Sequence, residues 1–134
     1  MMKLADVRDY VASLGLADHV YMSKLDAKSE RSIGVYNSKH SNEYVAAIGG
    51  HALKSYGTKY VTLLVHWNRS PRDTENAAAN LFKVLEAAEE KKVNNETIKF
   101  IQLLVNEPVD VGTDDAGIYE MVIEAAIIYE RKGV

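Results

Sequence analysis

The acidic residues of the sequence EPVDVGTDDAGIYE, at positions 107–120, are the side chains best placed to support chemistry. The first four of them are Glu107, Asp110, Asp114 and Asp115. Gly112 and Gly117 frame four residues, which is the glycine spacing of a phosphate-binding loop. Such a loop continues with Lys and then Ser or Thr, because an ammonium group must reach the phosphates and a hydroxyl must hold magnesium. Ile118 and Tyr119 occupy those positions, so the sequence argues against phosphate binding.

The same acidic segment can be tested as a metal site. Counted from Asp110 as the first position of an EF-hand loop, Met121 falls where the bidentate glutamate is required, so that pattern fails. An irregular Mg²⁺ or Ca²⁺ site formed by Asp110, Asp114 and Asp115 stays open, because these cations accept many arrangements of oxygen ligands. It would make the protein a metal-dependent enzyme or sensor. The simpler interpretation is a turn in which the glycines adopt special backbone angles and the aspartates bond to nearby amides.

Other catalytic patterns are missing from the sequence. There is no cysteine, no Gly-x-Ser-x-Gly nucleophile motif, and no zinc-site spacing among the four histidines. The histidines are His19, His40, His51 and His66. Glu120 and Glu124 share one face of a predicted strand, where such pairs more often aid solubility or contact lysines on the next strand than act as acid and base. We therefore expect no catalytic residues, no bound cofactor and no enzyme activity.

Length and composition predict one soluble globular domain over residues 1–134. The hydrophobic share of 47% and the charged share of 26% are ordinary for such a protein. A formal net charge of −3 provides no general attraction for nucleic acid, and no apolar run reaches the length of a membrane span. Asp6, Arg8 and Asp9 lie where a signal peptide needs apolar residues. We expect neither specific nucleic-acid binding nor membrane insertion.

The first third of the chain predicts one helix and three short strands. Apolar residues at helical spacing predict a helix over 4–14, which Gly15 ends. Segments rich in β-branched and aromatic residues predict strands over 19–25, 32–37 and 44–50. The last two of these strands are expected to form a hairpin.

The middle of the chain predicts a long strand followed by a helix. Alternating apolar residues indicate a strand over 58–68, with Trp67 continuing the face that packs into the core. Ser70 and Pro71 are typical of a helix start. The helix is expected over 71–90, with the charged sequence EEKK and two asparagines at its frayed end.

Two further long strands are predicted, over 97–107 and 119–131. The order of elements predicts an α+β fold: a single domain with a mixed, mostly antiparallel β-sheet and two α-helices packed on one face. Arg69 and Arg72, at the corner between the long strand and the second helix, are expected to be exposed contact residues, since arginine is enriched in protein interfaces.

Four segments of the sequence carry a further signal. They are KSERSIGVYNSK at 28–39, AAIGG at 46–50, VTLLVHWN at 61–68 and FIQLLVNEPVDVGTDDAGIYEMVIEAAIIYER at 100–131. Together they resemble the minor capsid or tail terminator proteins of long-tailed bacteriophages and prophages. The last segment is the most specific, through its PVDVGTDDAGIYE core.

The resemblance implies a structural protein of the virion, present in the host cytoplasm before assembly. It implies a homo-oligomeric ring, often of six subunits, at the end of the tail tube, with the tail tube and the neck or connector proteins as partners. Four candidate contact residues come from the PVDVGTDDAGIYE motif, and Arg69 and Arg72 are added from the corner before the second helix. The predicted interface residues are Arg69, Arg72, Asp110, Thr113, Asp114 and Asp115.

Overall fold

The computed structural model describes residues 1–39 and 56–131. Two helices and seven strands lie within these ranges. In chain order they are α1 (Leu4–Ser13), β1 (His19–Met22), β2 (Ser32–Asn37), β3 (Tyr56–His66), α2 (Pro71–Glu86), β4 (Glu89–Val93), β5 (Glu96–Leu103), β6 (Val109–Thr113) and β7 (Tyr119–Glu130).

All seven described strands belong to one sheet. Its order is β1-β2-β3-β7-β5-β4, and β6 pairs with β7 off this path. β1 runs parallel to β2, while the other described pairs are antiparallel. β3 pairs with almost the whole of β7 on one side, and β5 and β6 share its other side. The predicted α+β fold with a mixed, mostly antiparallel sheet is confirmed.

The first helix forms where its pattern predicts. Leu4, Val7 and Val11 recur at helical spacing and are buried. Gly15 follows the last turn with φ +67°, a left-handed conformation that glycine adopts without steric cost, and so ends the helix.

The second helix begins at the predicted signal. The Asp73 amide donates a hydrogen bond to Ser70 Oγ at 3.2 Å, and Pro71 has no amide hydrogen to leave unpaired in the first turn. Its buried residues follow one stripe and are Thr74, Ala78, Leu81 and Leu85. Among the residues that the structure describes, neither helix combines the length and the apolar character of a membrane span.

Both helices pack their apolar stripes against one face of the sheet. The cross-strand pairs Leu63–Ile123 and Val61–Ala125 lie in this shared core. α1 contacts β1 and β2 and also β4, although β1 and β4 stand at opposite ends of the strand order. The sheet therefore curls around its helical side. Trp67, just beyond β3, packs against the core as predicted.

The prediction that the second helix continues to residue 90 and frays there is wrong. α2 ends at Glu86, and the EEKK sequence lies in β4, which pairs antiparallel with β5. Asn94, with φ +54°, lies in the turn that joins these two strands. Charged residues have low strand propensity, but they suit an edge strand, whose free side must not pair with other chains. Pairing with β5 therefore decides this element, and local propensity does not.

The strand predicted over 97–107 is shorter than expected. β5 ends at Leu103, and a separate strand, β6, follows the connection through Pro108. Proline has no amide hydrogen to donate to a ladder, which favours a break at this point. The strand predicted over 44–50, and with it the predicted hairpin, lies outside the described residues.

Leu81 tests how much α2 contributes to the core. Its side chain is 1% exposed, so Leu81→Ala removes packed carbon atoms and leaves a cavity. We expect the free energy of unfolding to fall by about 2–5 kcal/mol. Urea unfolding followed by circular dichroism measures this. Lys83→Ala, on the exposed side of the same helix, should change it by less than about 0.5 kcal/mol, and equal effects of the two changes would contradict the packing.

Candidate subunit interface

The sequence GTDDAG forms the end of β6 and the turn into β7. Gly112 and Gly117 adopt φ +89° and +82°, values that favour glycine. The Gly112 amide donates a hydrogen bond to Asp110 Oδ1 at 2.8 Å. The interpretation of this segment as a turn shaped by its glycines and aspartates is therefore confirmed.

Asp114 organises the turn. Its Oδ1 accepts hydrogen bonds from the amides of Ala116 and Ile118, both at 2.9 Å. The Ile118 amide is the main cause that lowers the pKa of the Asp114 carboxyl; burial opposes the shift, and the Ala116 amide, His66 and Arg69 add to it. The side chain of Ile118 is buried, which anchors the turn to the rest of the protein.

His66, the last residue of β3, connects this turn to a second loop. Its side chain is fully buried, at 0% exposure. Nδ1 lies 2.8 Å from Glu120 Oε2, and Nε2 lies 3.0 Å from the carbonyl oxygen of Ala27. Nε2 also lies 3.8 Å from Asp114 Oδ2. One imidazole therefore contacts β7, the turn before β7 and the loop before β2.

The loop before β2, residues 26–31, is held against the end of β3. Ser32 Oγ, buried at the start of β2, donates to the carbonyl oxygen of Ser29 at 2.8 Å. The Arg31 amide donates to the carbonyl oxygen of Trp67 at 2.7 Å. These bonds fix the loop in the position where its Ala27 carbonyl meets His66.

The loop and the turn form the walls of a surface hollow of about 430 Å³, which we call the loop-turn hollow. It is lined by Ala27, Lys28, Glu30, Arg69, Asp114, Asp115, Ala116 and Ile118. Five of these eight side chains are charged, and both signs are present.

The predicted interface residues are divided between two hollows and two other exposed positions. Those that line the loop-turn hollow are Arg69, Asp114 and Asp115. Asp110 lines a second hollow, of about 610 Å³, between α2 and the connection from β5 to β6. Thr113 is exposed at the end of β6, and Arg72 is exposed in the first turn of α2.

This geometry does not support the alternative metal site. Asp110 lines a different hollow from Asp114 and Asp115, and Asp114 Oδ1 is already bonded to two amides. Over residues 1–39 and 56–131, no three His, Cys, Asp or Glu side chains are arranged to hold a metal ion.

Sequence reasoning missed the polar pairs on the face of the sheet opposite the helices. Glu120 bonds to His66, and Glu124 accepts hydrogen bonds from Thr62 Oγ1 at 2.8 Å and Ser38 Oγ at 3.0 Å. Among the described residues, the partners of these two glutamates are thus a histidine and hydroxyl groups. Strand alternation could place each residue on a face, but only the register between β3 and β7 shows which residues are opposite one another.

A comparison with protein families bears directly on these features. A family described as bacteriophage tail terminator protein matches residues 10–131. The chain belongs to the bacteriophage tail terminator family. The matched range contains every described strand, α2 and all residues that line the loop-turn hollow. Neither the comparison with curated proteins nor the comparison with solved structures gives a match.

Membership of the tail terminator family makes the chain a structural protein of a phage tail and a component of the virion. Tail terminators are a structural, non-enzymatic family. Within the motif core PVDVGTDDAGIYE, the hydrogen bonds of Asp114 close the turn, and the buried side chain of Ile118 anchors it.

Asp114→Asn tests the contribution of the turn to stability as a function of pH. The folded pKa of Asp114 lies below its ordinary value of 3.8, so its carboxylate stabilises the fold fully above that value and loses this effect as the pH falls through the folded pKa. We expect Asp114→Asn to be less stable than wild type near neutral pH. The difference should shrink as the pH falls below 3.8 and through the lower folded pKa.

Urea unfolding at a series of pH values measures this difference. Asp115→Asn removes the same charge from the same turn without these two amide bonds, and serves as the control. A stability difference for Asp114→Asn that did not change with pH would contradict the assigned role of the carboxylate.

Proposed function

We propose that this chain is a tail terminator subunit that assembles with identical copies into a ring at the end of the tail tube. The family match over residues 10–131 is the observation that carries the proposal. The ring stops polymerisation of the tube and presents a surface to neck or connector proteins. Six subunits is the number that the family resemblance implies. The protein is made in the host cytoplasm and then enters the virion.

The β6 strand supports a role in contacts between proteins. Among the described strands, only β7 pairs with it, so no described strand covers its outer edge. Val109 and Val111 are 46% and 51% exposed. Exposed apolar residues on an open strand edge are typical of surfaces that other chains cover.

Charge is segregated along the chain in a way that suits contact between copies. Residues 100–130 contain no Lys or Arg and seven acids, namely Glu107, Asp110, Asp114, Asp115, Glu120, Glu124 and Glu130. Residues 44–72 contain no acid and four basic residues, namely Lys54, Lys59, Arg69 and Arg72. A ring of identical subunits needs two different, complementary patches on each subunit. The acidic β6–β7 hairpin and the basic corner before α2 meet that requirement.

Arg72, more than Arg69, is available to a neighbouring subunit. Arg69 lines the same hollow as Asp114 and Asp115, and its charge contributes to the lowered pKa of Asp114 in the same subunit. Arg72 is exposed and forms no ion pair with another residue of the described ranges. We therefore pair Arg72 of one subunit with Asp110 on the hairpin of the next.

Native mass spectrometry at several protein concentrations tests ring formation. Electron microscopy of tail tubes mixed with the protein tests whether it binds tube ends. We expect one closed oligomer, which grows in abundance with concentration, and density at the tube ends. A strictly monomeric protein that also leaves tube ends bare would overturn the proposal.

A charge exchange tests the proposed contact between subunits. Arg72→Glu and Asp110→Arg should each weaken self-association at least about tenfold, because each places like charges together. The double variant should recover much of the association, since it restores an opposite-charge pair. Asp110 is chosen because it lies outside the bonds between Asp114 and His66.

Analytical ultracentrifugation of all three variants measures these changes. Lys91→Glu, which reverses an exposed charge on β4, should leave association unchanged. If the double variant associates no better than the single variants, Arg72 and Asp110 are not partners.

A further inference from the structure

We propose that His66 is a positioning residue: its doubly protonated imidazolium holds the loop at 26–31 and the turn at 114–118 in the arrangement that forms the loop-turn hollow. The use of this hollow in docking rests on the proposed function. The positioning itself does not, and it can be measured on the isolated protein.

The hydrogen bonding of His66 carries the first step. Nδ1 faces a carboxylate oxygen of Glu120 at 2.8 Å, and Nε2 faces the Ala27 carbonyl oxygen at 3.0 Å. Both of these oxygens are acceptors. A neutral imidazole has one N–H and one lone pair, so one of its nitrogens would face an oxygen without a hydrogen between them. The imidazolium donates from both nitrogens and satisfies both contacts.

The charges around His66 carry the second step. The side chain is fully buried, where an unpaired positive charge is costly. Glu120 reaches it from β7 and Asp114 from the turn, at 2.8 Å and 3.8 Å. The residue opposite it on β2, Ser32, is uncharged. Two carboxylates therefore compensate the buried charge.

More distant charges on the neighbouring elements carry both signs. Lys28 and Glu30 of the loop carry opposite charges and line the hollow with Arg69 of the corner before α2. Arg69 also acts on Asp114, whose pKa its charge helps to lower. Asp114 thus remains charged beside the imidazole.

The position of His66 explains why one side chain can set the shape of the hollow. The loop and the turn are far apart in sequence, and His66 bonds to the backbone of one and pairs with the carboxylate of the other. The turn is closed internally by Asp114. Trp67, just beyond β3, accepts a hydrogen bond from the Arg31 amide of the loop and donates one to the carbonyl oxygen of Tyr119, just after the turn. Without the imidazole these backbone bonds remain, but the two walls lose the buried side chain that contacts both.

Nitrogen NMR of the imidazole tests the protonation state in the folded protein. We expect both ring nitrogens of His66 to give N–H signals at the pH at which the protein assembles. In Glu120→Gln, which keeps the size of the partner and removes its charge, the second N–H signal should be weaker than in wild type at the same pH. A single N–H on His66 in wild type at that pH would overturn the proposal.

Amide hydrogen exchange tests the positioning. His66→Gln offers one NH2 donor group and one carbonyl acceptor in place of the imidazolium's two N–H donors. We expect amides in both 26–31 and 114–118 to exchange about tenfold faster, as for loss of one buried charge-assisted hydrogen bond, with the core of β3 and β7 unaffected. His19→Gln, at an exposed histidine at the start of β1, should leave both segments unchanged. Faster exchange in the whole sheet, or in neither segment, would contradict a positioning role.

Assembly of the His66→Gln variant connects the hollow to docking. We expect His66→Gln to form the ring more weakly than wild type, and equal assembly of the two would show that docking does not use the hollow. If wild type forms no ring at any pH, the proposed function fails, whereas the NMR and exchange results still decide the role of His66.

Discussion

The register between β3 and β7 is the constraint on which the rest of the structure depends. All eleven residues of β3 pair with β7. Because side chains alternate along a strand, this register places Leu63 beside Ile123 in the core and His66 beside Glu120 on the other face. A shift of one residue would move every side chain of one strand to the opposite face. Burial of the apolar residues therefore also fixes where the polar residues meet.

That constraint brings the segments that resemble tail terminators to one end of the sheet. The loop at 26–31 overlaps the first of these segments, and the turn at 114–118 lies in the last. Arg69 directly follows VTLLVHWN, which contains His66. Surface shape at this end therefore depends on a buried polar cluster that no single segment contains. For a protein that docks on partners, a surface held in one conformation favours binding, because a pre-organised surface loses less entropy on binding.

Elements that depend on interactions between sequence neighbours were predicted correctly, whereas elements that depend on pairing with distant residues were not. Ser70, Pro71 and Gly15 act on their own backbone neighbours, so the start of α2 and the end of α1 could be predicted from sequence. The same holds for the turn, where Gly112 and Gly117 need positive φ. β4 was not predicted because its charged residues become a strand only by pairing with β5. The break after Leu103 was not predicted because the apolar pattern continues through it.

The sequence by itself determined the α+β class, the core faces of the long strands, the C-terminal end of α1, the N-terminal end of α2, and the resemblance to tail terminators. Those properties arise from periodicity, local hydrogen bonding and recognisable residue order. Only the tertiary structure decided that His66 is buried between Glu120 and Asp114, that Arg69 lines one hollow with acids of its own subunit, and that Asp110 and Asp114 line different hollows. These relations join residues that are distant in the chain. They are set by the strand register and by the curl of the sheet, and neither property can be predicted from the sequence neighbours of any one residue.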